Sequence, residues 1–318
     1  MSIYRRIKQY QYGFLLLAFL VLFFHFLPDQ GLVFPSLKDA AHSIVFAVAT
    51  YLLLLVFVPA YQLYFNDPQS VFYRTAGICL FAFFIGIVIE IAQPYVGRDR
   101  SLIDVIYDLL GCSAAGIFHS RKYIESLRRK RLSVVFASSL ILLGLVYPMY
   151  NISIIVQRNL SAPLLLSFDQ KWESAIVRQN AATELKISDA PTAWPNKTKV
   201  ARVKFGVGYQ YPGISFHNIY GQWAEFSSVS FEVFSEQQDE ATLILRIHDT
   251  LHQNQYDDRF NLNLRVLPGL NNFAISLDDV KLAPKSREMQ LDKIVSMILF
   301  MAGPEKPISL YIDNIELN

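Results

Sequence analysis

Long apolar runs crowd into the first 150 positions of this 318-residue chain, and none follows them. They cover residues 13–27, 40–61, 71–91, 102–118 and 132–150. Roughly 20 apolar residues in a helix cross the hydrocarbon core of a bilayer. Only helices or closed barrels satisfy backbone hydrogen bonds there, and runs of this length select helices. The pattern predicts a polytopic α-helical membrane bundle of about five spans over residues 1–150. Overall the chain is 53% hydrophobic and 18% charged, but the excess stops near Tyr150. Beyond it the composition is that of an average soluble domain, so a multi-domain chain is expected. The net charge of +2 gives no footprint for nucleic acid.

The first run follows basic residues Arg5, Arg6 and Lys8, as in a signal peptide, but Pro28-Asp29-Gln30 offers no small-x-small cleavage site. It therefore reads as a retained span. Arg121, Lys122, Arg128, Arg129, Lys130 and Arg131 face a single acid, Glu125, in the segment between the fourth and fifth runs. By the positive-inside rule that segment and the N-terminus are cytoplasmic. The expected setting is a bacterial-type cytoplasmic (inner) membrane, with everything after Tyr150 extracytoplasmic. Cys79 and Cys112 both fall in apolar runs and form no disulfide framework or zinc site.

This topology brings three polar clusters to one interface. Lys38, Asp39 and His42 begin the second span, Glu90 and Gln93 end the third, and Ser101, Asp104 and Asp108 begin the fourth. Glu90 and Gln93 share a helix face at i, i+3; Asp104, Asp108 and Gly111 share one at i, i+4, i+7. Ser101 and Asp104 also fit a helix cap, and Arg98 and Arg100 suit lipid headgroups. Glu90 and Asp108 are the least explained by capping or headgroup contact. Carboxylates are costly inside a membrane helix and mark function by default.

Glu90-x-x-Gln93, Gly97-Arg98-x-x-Ser101-x-x-Asp104 and Gly111, with Lys38-Asp39-Ala40-Ala41-His42 before them, resemble the signature of VanZ-like membrane proteins over residues 10–120. The order of Lys38 and Asp39, Phe46 and Asp108 depart from that pattern. The resemblance implies a cell-envelope context and a link to glycopeptide (teicoplanin) resistance, but no particular reaction.

Residues 151–162 are expected to be a tether, and residues 163–318 a β-sandwich of jelly-roll type. Val229, Phe231 and Val233 alternate with polar neighbours, as do Leu243, Leu245 and Ile247, then Phe260, Leu262, Leu264 and Val266, then Phe273, Ile275 and Leu277. Period two with one polar face marks half-buried antiparallel strands. The closing strand, Ile308, Leu310 and Ile312, slips parity at Asp313-Asn314, which predicts a bulge. Ser167-Phe168-Asp169 near Trp172, residues 269–277, Arg287 with Asp292-Lys293-Ile294, and the final strand together resemble galactose-binding-like, carbohydrate-binding-module-like sandwiches. That resemblance implies sugar stacking on Tyr209, Tyr211, Trp223 or Tyr256, with Arg246, His248, Asp249, Asp257, Asp258 and Arg259 as hydrogen bonders. A core role is the alternative for Trp172 and Trp223.

No cofactor is expected. A structural calcium ion could be held by Asp249, Asp257 and Asp258, although acidic turns are commonly just solvated. The sequence has no nucleophile elbow, phosphate loop or His-x-x-Glu-His motif. The expected function is an envelope protein, more a binder than an enzyme. Its partners would be membrane lipid and a glycan or lipid-linked precursor. The alternative is a membrane hydrolase or transferase using Glu90, His42 and Asp104. A third alternative is a scaffold built on a Glu90–Arg98–Asp104 ion network.

Overall fold

The structure, a computed structural model, describes residues 7–26, 31–61, 68–96, 101–194 and 199–318. It divides into two compact units, Met1–Ile152 and Ser153–Asn318.

The first unit is helical: α1 (Gln11–His25), α2 (Val33–Tyr61), α3 (Pro68–Ala92), α4 (Leu102–Ser120), α5 (Leu127–Gly144) and the start of α6 (Val146–Ser161). Three helical segments, Val33–Val58, Gln69–Tyr95 and Leu102–Tyr123, are long and apolar enough to cross a membrane. The expectation of five straight spans needs correction. Helix α1 has 15 residues, short of a span. The fifth run is two helices bent by 47°. Pro148 lacks the N–H that would reach the Gly144 carbonyl, so the helix breaks there. With that bent pair counted as one span, the number rises to four.

The expected tether is also helical. Asn151 is buried inside α6, and its Nδ2 donates to the Leu32 carbonyl at 3.1 Å. A polar residue with a buried acceptor need not mark a linker.

Polarity in this unit is inverted. Ser43, Thr50 and Asp108 are at most 1% exposed, while Leu80, Phe81 and Phe84 on α3 are about 60% exposed. Apolar surface facing outward, over a core that mixes Leu54, Val58 and Ala115 with these polar groups, suits a lipid solvent. Helices α2 and α4 form the most extensive helix pair. Gly111 permits it, because a Cβ there would collide with the Ser43 carbonyl oxygen and come within 2.9 Å of the Ala47 nitrogen.

The second unit is a β-sandwich of two antiparallel sheets. One runs β3 (Thr183–Asp189), β4 (Lys199–Phe205), β11 (Ile308–Leu317), β6 (Ser228–Ser235) and β9 (Gly269–Ser276), with β1 (Leu164–Leu166) also pairing β11. The other runs β2 (Val177–Gln179), β5 (Gly213–His217), β10 (Ile294–Phe300), β7 (Ala241–Asp249) and β8 (Phe260–Val266). Apart from the β7–β8 hairpin, strands β4 to β11 alternate between the sheets in the order of a jelly roll. The expected bulge is present: β11–β6 register shifts between Asp313 and Glu316, and Asn314 takes φ 51°. Leu277 does not extend β9. It opens the short helix α7 (Leu277–Leu282), capped by Ser276 Oγ accepting from the Asp278 amide.

Candidate functional sites

In the helical unit, three helices bring together most of the expected polar residues. From α2, His42 lies between the α4 aspartates: Nδ1 is 2.9 Å from Asp108 Oδ1 and Nε2 is 3.8 Å from Asp104 Oδ2. Asp39, half-buried one turn earlier, is within electrostatic reach of His42, Glu90 and Asp104. Lys38 is half-buried beside it. Gly86 on α3 leaves room for the Asp108 carboxylate, which a Cβ there would strike. Asp104 is buried, and its Oδ1 has no hydrogen-bond partner.

Glu90, named above for the enzyme alternative, is hydrogen-bonded at both carboxylate oxygens. One oxygen accepts a short hydrogen bond from the Ser101 amide, and the other accepts from Gln93 Nε2 at 2.8 Å. The Ser101 bond ties the start of α4 to the end of α3, and the Gln93 bond orients the Glu90 carboxylate from its own helix end. Ser101 is the N-cap, its Oγ accepting from the Asp104 amide at 3.2 Å. Capping explains Ser101; it does not explain the Asp104 side chain, which points back to His42. Arg98 and Arg100 lie outside the described residues, and with them the Glu90–Arg98–Asp104 network.

In the sandwich, the expected sugar-binding residues separate into three groups. Tyr209, Tyr211 and Arg246 do line one cleft of about 280 Å³, together with Gln179, Asn180 and Phe300. Tyr209 and Tyr211 are nearly half exposed. Phe300 is the floor: the Tyr211 ring meets it edge-on at 5.7 Å, and the Arg246 guanidinium lies 4.9 Å above it. The cleft exists because Gly213, paired with Phe300, has no side chain to fill it.

Tyr256, Arg259 and His248 adjoin this face. Tyr256 is 69% exposed, with the Arg259 guanidinium 5.3 Å from its ring centroid. The His248 ring meets that of His252 at 4.7 Å, tilted by 39°. Burial, then the neighbouring His252, Arg246 and His217, push its imidazole down to about 4, so it is neutral at pH 7.

Trp223 and Asp258 are corrections. Trp223 is fully buried and donates Nε1–H to the Tyr220 carbonyl at 2.6 Å; it fills the core and offers no face to a sugar. Asp258 accepts from Arg287 Nε at 2.6 Å and from the Gln253 amide. Asp249, 1% exposed, holds the other edge of the same guanidinium at 2.6 and 2.8 Å. Asp257 pairs with Lys285. Arginine and lysine thus occupy the place considered for calcium, and no group of His, Cys, Asp or Glu among the described residues could hold a metal ion. Trp172 is also core, and Glu173 beside it accepts from the Ser167 and Gln170 amides.

Phe300, Gln179 and Asn180 were missed by sequence reading. Residues 294–300 are apolar on both faces, so no alternation marks Phe300 as outward.

No family model and no curated protein matches the chain. Among solved structures, the chain is similar to an exo-β-agarase at 15% identity over 49% of this chain and 24% of that one, with TM-score 0.40. It is similar to a family 11 carbohydrate-binding module from Clostridium thermocellum, solved with a β-1,3-1,4-mixed-linked tetrasaccharide, at 17% identity over 44% and 86%, with TM-score 0.35. It is also similar to a carbohydrate-binding module specific for non-crystalline cellulose, at 14% identity over 49% and 94%, with TM-score 0.36. The chain spans about a quarter of the agarase's length. The VanZ-like pattern rests on the residues quoted for it.

Proposed function

We propose that this chain is a membrane-anchored glycan-binding protein of the cell envelope. The observation that carries the reading is the cleft over Phe300, with two half-exposed tyrosines and an arginine on a rigid sheet face. Sugar rings present C–H faces that stack on such aromatics and hydroxyls that accept from arginine. Arg246 has one weak internal bond, to Asn261 Oδ1 at 3.4 Å, so its remaining N–H groups can serve a ligand. Helices α2, α3 and α4 anchor the chain, and the basic segment 121–131 favours a cytoplasmic side opposite the sandwich.

In this reading the polar cluster of Asp39, His42, Asp104 and Asp108 meets the headgroup of a lipid-linked precursor carrying the same class of sugar. Glycopeptide susceptibility of cells is the accompanying expectation. A hydrolase or transferase reading uses the His42–Asp108 pair beside Glu90, whose two oxygens each accept one hydrogen bond.

Glycan-array binding by the detergent-solubilised full chain tests the proposal. Binding that falls in Tyr211→Ala supports it, and absence of binding to every glycan overturns it. Turnover of a lipid-linked precursor by the pure protein, lost in His42→Gln, would establish the enzyme reading instead.

A further inference from the structure

Across the cleft-bearing sheet, cross-strand partners put Arg178, Ser215, Ile298, Arg246 and Asn261 in one outward row. His217, Ser296 and His248 form the next row. The five strands of this sheet contain a single acid, Asp249, which points inward and is bound to Arg287. Arg265, at the far end of the sheet, is paired with Glu240. Arg178, Arg246 and Arg259 are in no ion pair among the described residues.

Arg246 and Arg259 are close enough that burial and Arg259 together hold the Arg246 guanidinium below its ordinary value. Tyr211 and Tyr256 are near both. Arg259 Nε, Ser296 Oγ and His248 Nδ1 are buried with no hydrogen-bond partner among the described residues. Aromatic faces favour each cation, but two like charges that repel, with a buried donor unmet, still lack an anion. Guanidinium forks match carboxylate and sulfate geometry, and such bonds are about twice as strong as neutral ones.

We propose that the glycan this cleft takes is anionic, a uronate-bearing or sulfated saccharide whose acidic groups bind Arg246 and Arg259 while its rings stack on Tyr209 and Tyr211. This rests on the glycan-binding reading and narrows it to one class of sugar. A neutral polysaccharide would leave both guanidinium groups without counter-charge; an acidic one supplies it.

The test compares binding of oligogalacturonate with its methyl ester, which keeps the ring and removes the charge. The full chain in a non-ionic detergent is titrated by calorimetry, with inorganic sulfate as a competitor and salt varied. The acid form should bind about tenfold or more tightly than the ester, and its affinity should fall as salt rises. Arg246→Gln and Arg259→Gln should each erase most of that preference, and Arg246→Lys should keep part of it. An oligosaccharide sulfate is run beside the uronate to separate the two acidic groups. Equal binding of acid and ester overturns the anionic assignment and leaves glycan binding standing. Complete displacement by millimolar sulfate, with no gain from the sugar, reduces the site to an anion site and overturns the proposal. Binding of neither form, with no acidic or neutral glycan bound on the array, removes the glycan reading itself.

Discussion

His42 Nδ1 stands 2.9 Å from Asp108 Oδ1 and so ties α2 to α4 inside the helical unit. Asp108 is 1% exposed, so its end of the bond is screened from solvent, and its loss leaves the half-buried His42 Nδ1 without that acceptor. Asp108→Ala should destabilise the helical unit by about 1–3 kcal/mol. Asp108→Asn, whose amide oxygen still accepts from His42, should cost less. Cys79 and Cys112 are the chain's two thiols and both lie in this unit, so the temperature dependence of thiol labelling reads its unfolding. Equal labelling curves for Asp108→Ala and wild type would contradict the role given to the pair.

Glycines in the same helices should differ sharply in tolerance. A Cβ at Gly111 meets the backbone of Ser43 and Ala47, which cannot move aside without separating the helices. A Cβ at Gly77 meets nothing within 4 Å. Gly111→Ala should therefore cost about 1–3 kcal/mol by overpacking. Gly77→Ala should be neutral or stabilising, since glycine within a helix costs up to about 1 kcal/mol relative to alanine. The same thiol-labelling melt measures both.

The clamp of Asp249 and Asp258 on Arg287 predicts acid sensitivity of the sandwich. Burial alone would raise the Asp249 carboxyl, but the Arg287 bonds and the Gln290 and Leu251 amides outweigh it and hold it below the usual value. A depressed carboxylate adds stability above its unfolded pKa of about 3.9, and that stability is lost as pH falls through the lower folded value. Arg287→Ala should remove this contribution and cost about 3–5 kcal/mol at pH 7, because Asp249 stays buried without its counter-charge. All three tryptophans lie in this unit, at 172, 194 and 223, so intrinsic fluorescence follows its melting. An unchanged melting temperature in Arg287→Ala would contradict the clamp.

His248 predicts a second pH dependence, of the opposite residue type but the same direction. Its folded value of about 4 lies below the ordinary 6.5. Between these values the unfolded chain binds the extra proton, so stability declines as pH falls from about 6.5 towards 4. His248→Gln should flatten tryptophan-detected stability over that window. A variant as steep as wild type would show that His248 is not the group responsible.

Much of this architecture could be read from the sequence, for identifiable reasons. The apolar helices α2, α3 and α4 follow from continuous apolar runs, and β6 and β7 from strict alternation. The bulge at Asp313-Asn314 was visible as a slip of parity. The convergence of His42 with Asp104 and Asp108 followed from which ends of the spans share a side. What stayed hidden depends on long-range geometry. The Ile294–Phe300 strand, apolar on both faces, gives no sign that Phe300 floors a cleft. Asp249 and Asp258 looked like free acids because their partner, Arg287, is 38 and 29 residues away. Trp223 could suit a sugar or a core; only burial decides between them.

That decision yields a paired prediction. Trp223→Ala empties a fully buried site and should cost about 3–5 kcal/mol. Tyr211→Ala removes a half-exposed ring and should leave fluorescence-detected stability within about 0.5 kcal/mol of wild type. If instead Trp223→Ala melts like wild type, the core assignment is wrong.

The most direct measurement is the glycan affinity of the folded full chain beside that of Tyr211→Ala. The account predicts saccharide binding by the wild type and a loss of about tenfold or more in the variant, roughly the 1.4 kcal/mol or more that one stacked ring supplies. Saccharide binding undiminished by Tyr211→Ala, or no binding of any saccharide by the wild type, would contradict it.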